Sequence, residues 1–236
     1  MREANWGDRS ASLHLPELPE GSQRGLTGLG VASVRAFLGQ GGWRDLVSYL
    51  LYPTGFIAVI IGRAQLFTEN TLYPVVLVLD EHRHLDRMLR LWAVVFVANV
   101  IGAWLFSLLM AKSAAIDTKI LSQLVEQGMT AASGSASHFF WSAVIGGWLI
   151  ALVAWTVTAS HWTIGQLAMI YLLTFIVGIG HFAHCIASSC EILTAVTYGS
   201  VPAYSYLWWL LFTTLGNICG GVVIVSLLNY GQVRAT

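Results

Sequence analysis

Charged residues are scarce in this 236-residue chain, where Asp, Glu, Lys and Arg together make up 10% of the sequence. The 12 basic and 12 acidic residues cancel to a formal net charge of zero, so the basic footprint of a nucleic-acid-binding protein is missing. Cysteine is also rare, and Cys185, Cys190 and Cys219 have neither an even count nor a two-residue spacing. These absences argue against a disulfide framework or a redox motif, and no metal or other cofactor is predicted.

Hydrophobic residues, in contrast, make up 56% of the sequence, and the mean hydropathy is +0.67. Such values are unusual for a soluble domain. A transmembrane helix needs about 20 mostly apolar residues. Suitable stretches lie at residues 46–67, 91–111, 139–159, 164–198 and 207–228. The sequence therefore predicts an all-α protein that crosses a lipid bilayer several times.

Two of these stretches are interrupted near their middles, at matching places of an internal repeat. The first interruption lies at residues 66–70, and the second is centred on His184. Similar signatures follow them, Asn-Val-Ile-Gly-Ala at 99–103 and Asn-Ile-Cys-Gly-Gly at 217–221, 118 residues apart (217 minus 99). The same offset relates His184 to Leu66. Paired broken helices in two halves of a membrane chain indicate a solute site at the midplane, so a transporter or channel is predicted.

The repeat predicts six helices, three in each half, with the second and fifth broken. Repeat 1 covers about residues 24–112 and repeat 2 about 139–230 of a membrane domain at 24–236. The first helix has a single weak candidate, the 16-residue stretch 24–39, whose length suits half of a span, so this helix is expected to be truncated. Residues 1–23 are polar, lack the apolar core of a signal peptide and are predicted to form a disordered tail.

The distribution of basic residues orients the chain in the cell membrane, inner or plasma. Arg83, Arg87 and Arg90 fall in the short polar stretch 81–90, which is expected to be cytoplasmic by the positive-inside rule. The C-terminus follows after four further crossings and is expected on the same side. The segment 113–137, predicted to be a loop, would then lie outside.

The first break has the features of a helix start. Thr68 and Asn70 are favourable N-cap residues, so a half-helix is predicted to begin there at membrane depth. Its unpaired amide groups and the positive end of its dipole favour an anion. Leu66 and Phe67 beside the break form either an apolar constriction of a pathway or ordinary core packing, and the residues leave both readings open.

The second break carries His184, with His181 and the small polar residue Ser188 beside it. Ionisable groups inside a membrane are costly and mark functional sites, although a histidine there can also be a satisfied packing residue. The imidazole of His184 can donate a hydrogen bond to an anion, or lend it a proton so that a neutral acid crosses. His181 is predicted either to pack or to line the pathway.

Two asparagines and two glycines recur at matching places in the third helix of each half. Asn99 and Asn217 are predicted to fix helix contacts through hydrogen bonds. Gly102 and Gly220 are predicted to let neighbouring helices approach closely, because a glycine has no side chain to hold them apart. All four residues are therefore assigned to helix packing rather than to the solute pathway.

The remaining intramembrane charges are assigned to structure rather than to chemistry. Arg63 is expected to pair with a carboxylate, Glu69 or Glu191, more readily than to take part in a proton relay. An intramembrane enzyme is not predicted. His181 and His184 share one break, so they cannot ligate a haem from two facing helices.

Three motifs resemble the formate/nitrite transporter family: Ala-Gln-Leu-Phe-Thr at 64–68, Phe-Ala-His-Cys-Ile-Ala at 182–187 and Asn-Ile-Cys-Gly-Gly at 217–221. The resemblance extends from about Gly25 to the C-terminus. It implies an aquaporin-like fold with two inverted repeats, assembled as a homopentamer with one pore in each protomer. It also implies passage of small monovalent anions or their weak acids, with protons, past a central histidine.

This resemblance assigns the central histidine to His184. It assigns the loop and slit at the first break to Leu66, Phe67 and Thr68.

The chain departs from the family pattern around the histidine. Ala183 stands where the family usually has Glu, and Ser188 stands where it usually has Asn. The basic residue of the approach before the fourth helix is absent, with Ser135 and His138 nearby instead. These departures indicate an outlying subgroup. They leave two rivals to an anion channel: an aquaporin-like pore for neutral solutes, and an incomplete subunit that does not conduct.

Overall fold

The computed structural model describes residues 21–62, 67–68, 75 and 85–222. Within these ranges the chain forms nine α-helices. They are α1 Gly21–Leu38, α2 Trp43–Tyr49, α3 Thr54–Ile61, α4 Leu85–Lys112, α5 Thr118–Ala132, α6 Ala136–Ala159, α7 Thr163–Ile179, α8 Ala187–Tyr198 and α9 Ala203–Ile218.

Three helical segments of the described ranges are long and apolar enough to cross a membrane, namely Trp43–Ile61, Leu85–Lys112 and Ala136–Ala159. Helix α7 is equally apolar and has 17 residues, or roughly 26 Å. Large apolar side chains project from the outer faces of two helices: Val97, Ile101, Trp104 and Leu105 on α4, and Leu207, Trp208, Leu211 and Leu215 on α9. Such faces suit lipid or a neighbouring subunit, as expected for a multi-pass membrane protein.

The two halves of the chain repeat the same order of helices with the offset found in the sequence. Helix α3 ends at Ile61 and α7 ends at Ile179, which are 118 residues apart (179 minus 61). Helices α4 and α9 begin at Leu85 and Ala203, again 118 residues apart (203 minus 85). Each break therefore starts at the same place in its half. Leu66 and most of the first break lie outside the described residues.

Helix α1 is longer than the sequence indicates. It has 18 residues and begins at Gly21, inside the segment predicted to be a disordered tail. At about 1.5 Å per residue it measures about 27 Å, close to the roughly 30 Å of the hydrocarbon core. It is still six residues shorter than α6, its counterpart in the second half (24 minus 18). The helix is therefore longer than the half span expected from residues 24–39, and it is still shorter than α6, as a truncated first helix should be.

The segment 113–137 is more ordered than the predicted loop. It contains α5, which begins after Asp117, and the carboxylate of Asp117 caps the helix by accepting a hydrogen bond from the amide of Lys119 at 2.7 Å. Leu124, Val125 and Gly128 form the buried face of this helix. That face packs against α8 and α1, so α5 covers one end of the bundle.

Close contacts between helices depend on glycines. A methyl group at Gly147 on α6 would lie 2.3 Å from the carbonyl oxygen and 2.6 Å from the Cα atom of Asn217 on α9. A methyl group at Gly220 would lie 2.0 Å from the carbonyl oxygen of Val144 on α6. Helices α6 and α9 therefore touch backbone to backbone. This contact fixes the position of Asn217, whose side chain binds the amide of Cys185 in the second break.

We expect Gly147→Ala to lower the free energy of unfolding by about 1–3 kcal/mol, because rigid backbone atoms of Asn217 must move to admit the methyl group. Thermal unfolding of the purified protein in detergent measures the change. Gly165→Ala is the matched control, since the added methyl group meets only the side-chain oxygen of Ser160, which can rotate away. Equal stability of the two variants would refute the close packing.

Candidate functional site

The two breaks meet in the middle of the bundle. The hydroxyl oxygen of Thr68 lies 2.9 Å from Nε2 of His184, and both side chains are buried, with exposed fractions of 2% and 0%. Phe67 packs in one apolar cluster with Cys185 and Ile186 from the second break. The rings of Trp92 and Phe96 on α4 meet the ring of Phe67 edge to face, at centroid distances of 6.0 and 5.0 Å.

Hydrogen bonds to the other ring nitrogen define the protonation state of His184. Its Nδ1 accepts hydrogen bonds from the amides of Ile186 at 3.2 Å and Ala187 at 3.1 Å, at the beginning of α8. A nitrogen that accepts from two N–H groups carries no proton, so the proton of the neutral imidazole is on Nε2. That nitrogen donates to the hydroxyl group of Thr68. The imidazole therefore caps a helix with one edge and presents a donor with the other.

The two repeated asparagines hold the backbone of the two breaks. Oδ1 of Asn217 accepts from the amide of Cys185 at 2.8 Å, and Oδ1 of Asn99 accepts from the amide of Phe67 at 3.2 Å. Both bonds span 32 residues, so they are equivalent in the repeat. Nδ2 of Asn217 also donates to the carbonyl groups of Ala143 at 2.8 Å and Ala183 at 3.0 Å.

A buried arginine stands behind His184. The guanidinium group of Arg24 on α1 lies 3.9 Å from the ring centroid of Phe56 on α3, a cation–π contact. The ring of Phe56 also meets the imidazole of His184 edge to face, with ring centroids 5.4 Å apart. Arg24, Phe56 and His184 are all fully buried. The ring of Phe56 therefore lies between the guanidinium group of Arg24 and the imidazole of His184 and contacts both.

A cavity of about 480 Å³, here called the vestibule, reaches the second break from the end of the bundle where α5 lies. Its lining includes Ala183, which precedes His184, and Ser188, which follows it by four residues, while His184 itself is fully buried. Polar side chains make up much of the wall: Arg35, Gln40, Asp45, Tyr49, Glu126, His138, Ser142, His181, Ser188 and Glu191. A second cavity of about 630 Å³ lies at Phe139, Tyr204 and Trp208, away from both breaks.

Two hydrogen-bonded pairs organise the wall of the vestibule. Arg35 on α1 forms an ion pair with Asp45 on α2 at 2.9 Å. The hydroxyl group of Tyr49 lies 3.1 Å from Nδ1 of His181, and their rings meet edge to face at 5.1 Å. Nη2 of Arg35 also reaches the hydroxyl oxygen of Tyr49, at 3.5 Å. These contacts connect the first helix to the second break.

The backbone around His181 bends sharply out of α7. His181 has a φ of +53°, a left-handed conformation in which histidine is more common than most non-glycine residues. The amide of Phe182 donates to the carbonyl group of Val177 at 3.0 Å and closes the end of the helix. From α6, the hydroxyl group of Ser142 donates to the carbonyl group of His181 and accepts from the amide of Ala183, at 3.4 and 3.0 Å. The break is therefore held in place by α6 as well as by α9.

The structure places the predicted site residues in three groups. His184, Thr68 and Phe67 lie together where the breaks meet, whereas His181 and Ser188 line the vestibule. The repeated residues lie behind them on α4 and α9 or just beyond α9: Asn99, Gly102, Asn217 and Gly220. Leu66 lies outside the described residues, and so do Arg63 and Glu69. The pairing of Arg63 with Glu69 or Glu191 therefore stays a prediction.

Several site residues were not anticipated from the sequence. The sequence predicts Arg24 as the first residue of a weak helix, although an arginine ahead of a glycine-rich apolar stretch is itself a sign of an intramembrane charge. Ser142 and Tyr49 carry no sequence signal, because their roles depend on the path of the second break. Glu191, one of the two carboxylates expected to pair with Arg63, lines the vestibule.

Comparison with known proteins identifies relatives along most of the chain. The sequence model of the formate/nitrite transporter family matches residues 21–231. The inner membrane protein YfdC of Escherichia coli is 34% identical over 196 residues, which cover 80% of this chain and 61% of that protein. A probable formate transporter of Methanothermobacter thermautotrophicus is 29% identical over 203 residues, which cover 78% of this chain and 74% of the relative.

Solved structures share the fold. A structure described as an FNT family ion channel superposes with a TM-score of 0.77 at 21% identity, over 92% of this chain and 88% of the other. A pentameric formate channel with formate bound also gives a TM-score of 0.77, at 19% identity, over 93% and 95% of the two chains. These likenesses confirm the predicted all-α, multi-pass membrane fold.

Proposed function

The chain belongs to the formate/nitrite transporter family, and on that premise we propose that it conducts small monovalent anions or their weak acids past His184. The observation that carries this proposal is the hydrogen bond between Nε2 of His184 and Thr68, which joins the two broken helices at one point. Broken helices that meet at the midplane form the solute sites of many transport proteins. The named relatives, a probable formate transporter and a channel with formate bound, support an anion as the solute.

His184 acts in this proposal as a hydrogen-bond donor. Because Nδ1 is occupied by two backbone amides, Nε2 is the ring position with a proton to offer. An anion that replaces the hydroxyl group of Thr68 at Nε2 receives this donor without any change in the fold of α8. Desolvating an anion inside a membrane is costly, and a fixed donor offsets part of that cost.

The other residues take their roles from their positions. Thr68 supplies the exchangeable partner of His184, and Phe67, which packs in one cluster with Cys185 and Ile186, forms an apolar constriction of the pathway. The sequence assigns Leu66 to the same constriction. His181 and Ser188 line the approach from the vestibule. Asn99 and Asn217 keep the broken segments in register, and Gly102 and Gly220 allow the helices to approach closely. Transport, rather than catalysis, is the activity that this arrangement supports.

The assembly and orientation are proposed as follows. The protein forms a homopentamer with one pathway in each protomer, supported by the pentameric channel of the same fold and by the exposed apolar faces of α4 and α9. It lies in the cell membrane with its C-terminus in the cytoplasm, because Arg87 and Arg90 gather at the beginning of α4. The vestibule, at the opposite end of α4, then faces outside.

We expect wild-type proteoliposomes to take up formate or nitrite faster than empty liposomes, and to exclude glycerol. Thr68→Ser keeps the hydroxyl partner of His184 and is expected to keep the flux, whereas Thr68→Val removes it and is expected to lower the flux about 10-fold. Isotope or fluorescence uptake assays measure both. Glycerol flux without anion flux would identify a neutral-solute pore instead.

A further inference from the structure

Glu191 is a buried carboxyl group that faces the vestibule. Its exposed fraction is 9%, and it lines the cavity one helical turn from Ser188. Within the part of the chain that the structure describes, its carboxylate has no hydrogen bond and no ion pair. An ionised carboxylate in such a position is costly unless it is paired, hydrated or neutralised by a proton.

Two glycines make room for this residue. A methyl group at Gly28 on α1 would lie 2.7 Å from Oε1 of Glu191, so the side chain fills the space that this glycine leaves. On the other side, a methyl group at Gly128 on α5 would lie 2.2 Å from the carbonyl oxygen of Glu191. Helices α1 and α5 therefore enclose Glu191 at close range, and the carboxyl group borders the cavity.

The charges around Glu191 come from several helices. Helix α1 contributes Arg24 behind Phe56 and Arg35 in the vestibule wall, and α2 contributes Asp45 and Tyr49. Arg35 already forms an ion pair with Asp45. Helix α5 contributes Glu126, whose carboxylate accepts hydrogen bonds from Gln40 at 2.9 Å and Gln123 at 3.2 Å.

The remaining neighbours are neutral or distant. Tyr52 and His181 line the same cavity, and Cys190 precedes Glu191 on α8. On α9 the hydroxyl group of Tyr206 lies 3.0 Å from that of Ser189. Helix α4 packs against α8, and its charged residues lie in its first two turns and at its last residue: Asp86, Arg87, Arg90 and Lys112.

The vestibule therefore carries more negative than positive charge. With neutral histidines, its lining holds one cation, Arg35, and three carboxylates, Asp45, Glu126 and Glu191, a formal charge of −2 (one minus three). Such a wall repels an anion that approaches the second break. Of the three carboxylates, Glu191 is the one that no described side chain compensates.

We propose that Glu191 binds a proton from the solution in the vestibule and thereby controls the access of anions to His184. This inference rests on the proposed function. The ionised carboxylate repels the anion, whereas the carboxylic acid removes one negative charge and offers an O–H donor beside the pathway. Ala183, the neighbour of His184, has no side chain that could serve instead. Anion flux then depends on a residue seven positions beyond the central histidine.

The Glu191→Gln variant tests this control, because glutamine has the size of the protonated side chain but cannot ionise. We expect wild-type formate flux into proteoliposomes to rise about 10-fold from about pH 8 to about pH 5 as the carboxylate is neutralised. The Glu191→Gln variant is expected to conduct at about pH 8 as fast as the wild type does at about pH 5, with a flat profile. The matched control is Glu126→Gln, which changes the same charge in the same cavity and is expected to keep the wild-type profile.

A wild-type profile in Glu191→Gln, or a flat profile in Glu126→Gln, would overturn the proposal while leaving an anion channel intact. No anion flux in the wild type at any pH would instead overturn the proposed function. A labelling experiment needs no flux: dicyclohexylcarbodiimide, an apolar carbodiimide, reacts with protonated carboxyl groups. Mass spectrometry should find the label on Glu191 at acid pH and lose it at alkaline pH, and labelling that ignores pH or misses Glu191 contradicts proton binding.

Discussion

The His184→Asn variant is expected to fold like the wild-type protein and to lose about 10- to 100-fold of its anion flux. The oxygen of an asparagine side chain can accept the amide hydrogen bonds that Nδ1 of His184 now receives from Ile186 and Ala187. The beginning of α8 therefore stays capped. The shorter side chain cannot reach Thr68, however, and the donor at Nε2 is lost.

The size of this effect follows from the bond that an anion loses. A hydrogen bond to a charged group contributes about 1.5–3 kcal/mol, and each 1.4 kcal/mol corresponds to about a factor of ten. Formate uptake by proteoliposomes measures the flux, and thermal unfolding in detergent measures the fold. His184→Gln provides the reverse test, since its amide reaches toward Thr68 but leaves the amides of α8 without their acceptor. An Asn variant with wild-type flux would show that His184 serves only as a cap.

The Asn217→Ala variant is expected to lose the most stability of the substitutions considered, about 3 kcal/mol or more. Three backbone groups, the amide of Cys185 and the carbonyl groups of Ala143 and Ala183, each lose a hydrogen bond at once. Each buried polar group left unsatisfied costs about 1–3 kcal/mol. The midpoint of thermal unfolding in detergent should fall by about 5–10 °C.

Thr213→Val is the matched control on the same helix, one turn before Asn217. Thr213 is fully buried, and its hydroxyl group has no hydrogen-bond partner among the described residues. Replacing it with a valine of the same shape removes no bond, so the midpoint of unfolding should stay unchanged or rise. If Asn217→Ala and Thr213→Val unfold at the same temperature, the asparagine does not hold the break.

The repeat and the position of His184 could be read from the sequence because both depend on local patterns. A long hydrophobic stretch predicts a transmembrane helix, and an ionisable residue inside it indicates a functional position. The offset between Asn99 and Asn217 relates the two breaks, and the structure places the ends of α3 and α7 at that offset. Which ring nitrogen of His184 faces the pathway could not be predicted, because it depends on the turn at Ile186.

Other features escaped prediction for identifiable reasons. The segment of α5 favours a loop at first sight because it is too polar for a span. Its apolar residues nevertheless recur at helical spacing, at Ile120, Leu121, Leu124, Val125 and Gly128. The polar first turn of α1 makes this helix look shorter in the sequence than it is, and it hides the role of Arg24. The vestibule depends on contacts among α1, α2, α5 and α8, which no single stretch of sequence reveals.

The asparagine bonds also constrain how the protein is made. The amide of Phe67 is synthesised 32 residues before its acceptor Asn99, and the amide of Cys185 is synthesised 32 residues before its acceptor Asn217. At about 5–20 residues per second, translation needs about 2–6 s to supply that partner. Each broken helix is therefore synthesised before the asparagine that closes its break, and until then the amide needs another hydrogen-bond partner, such as water.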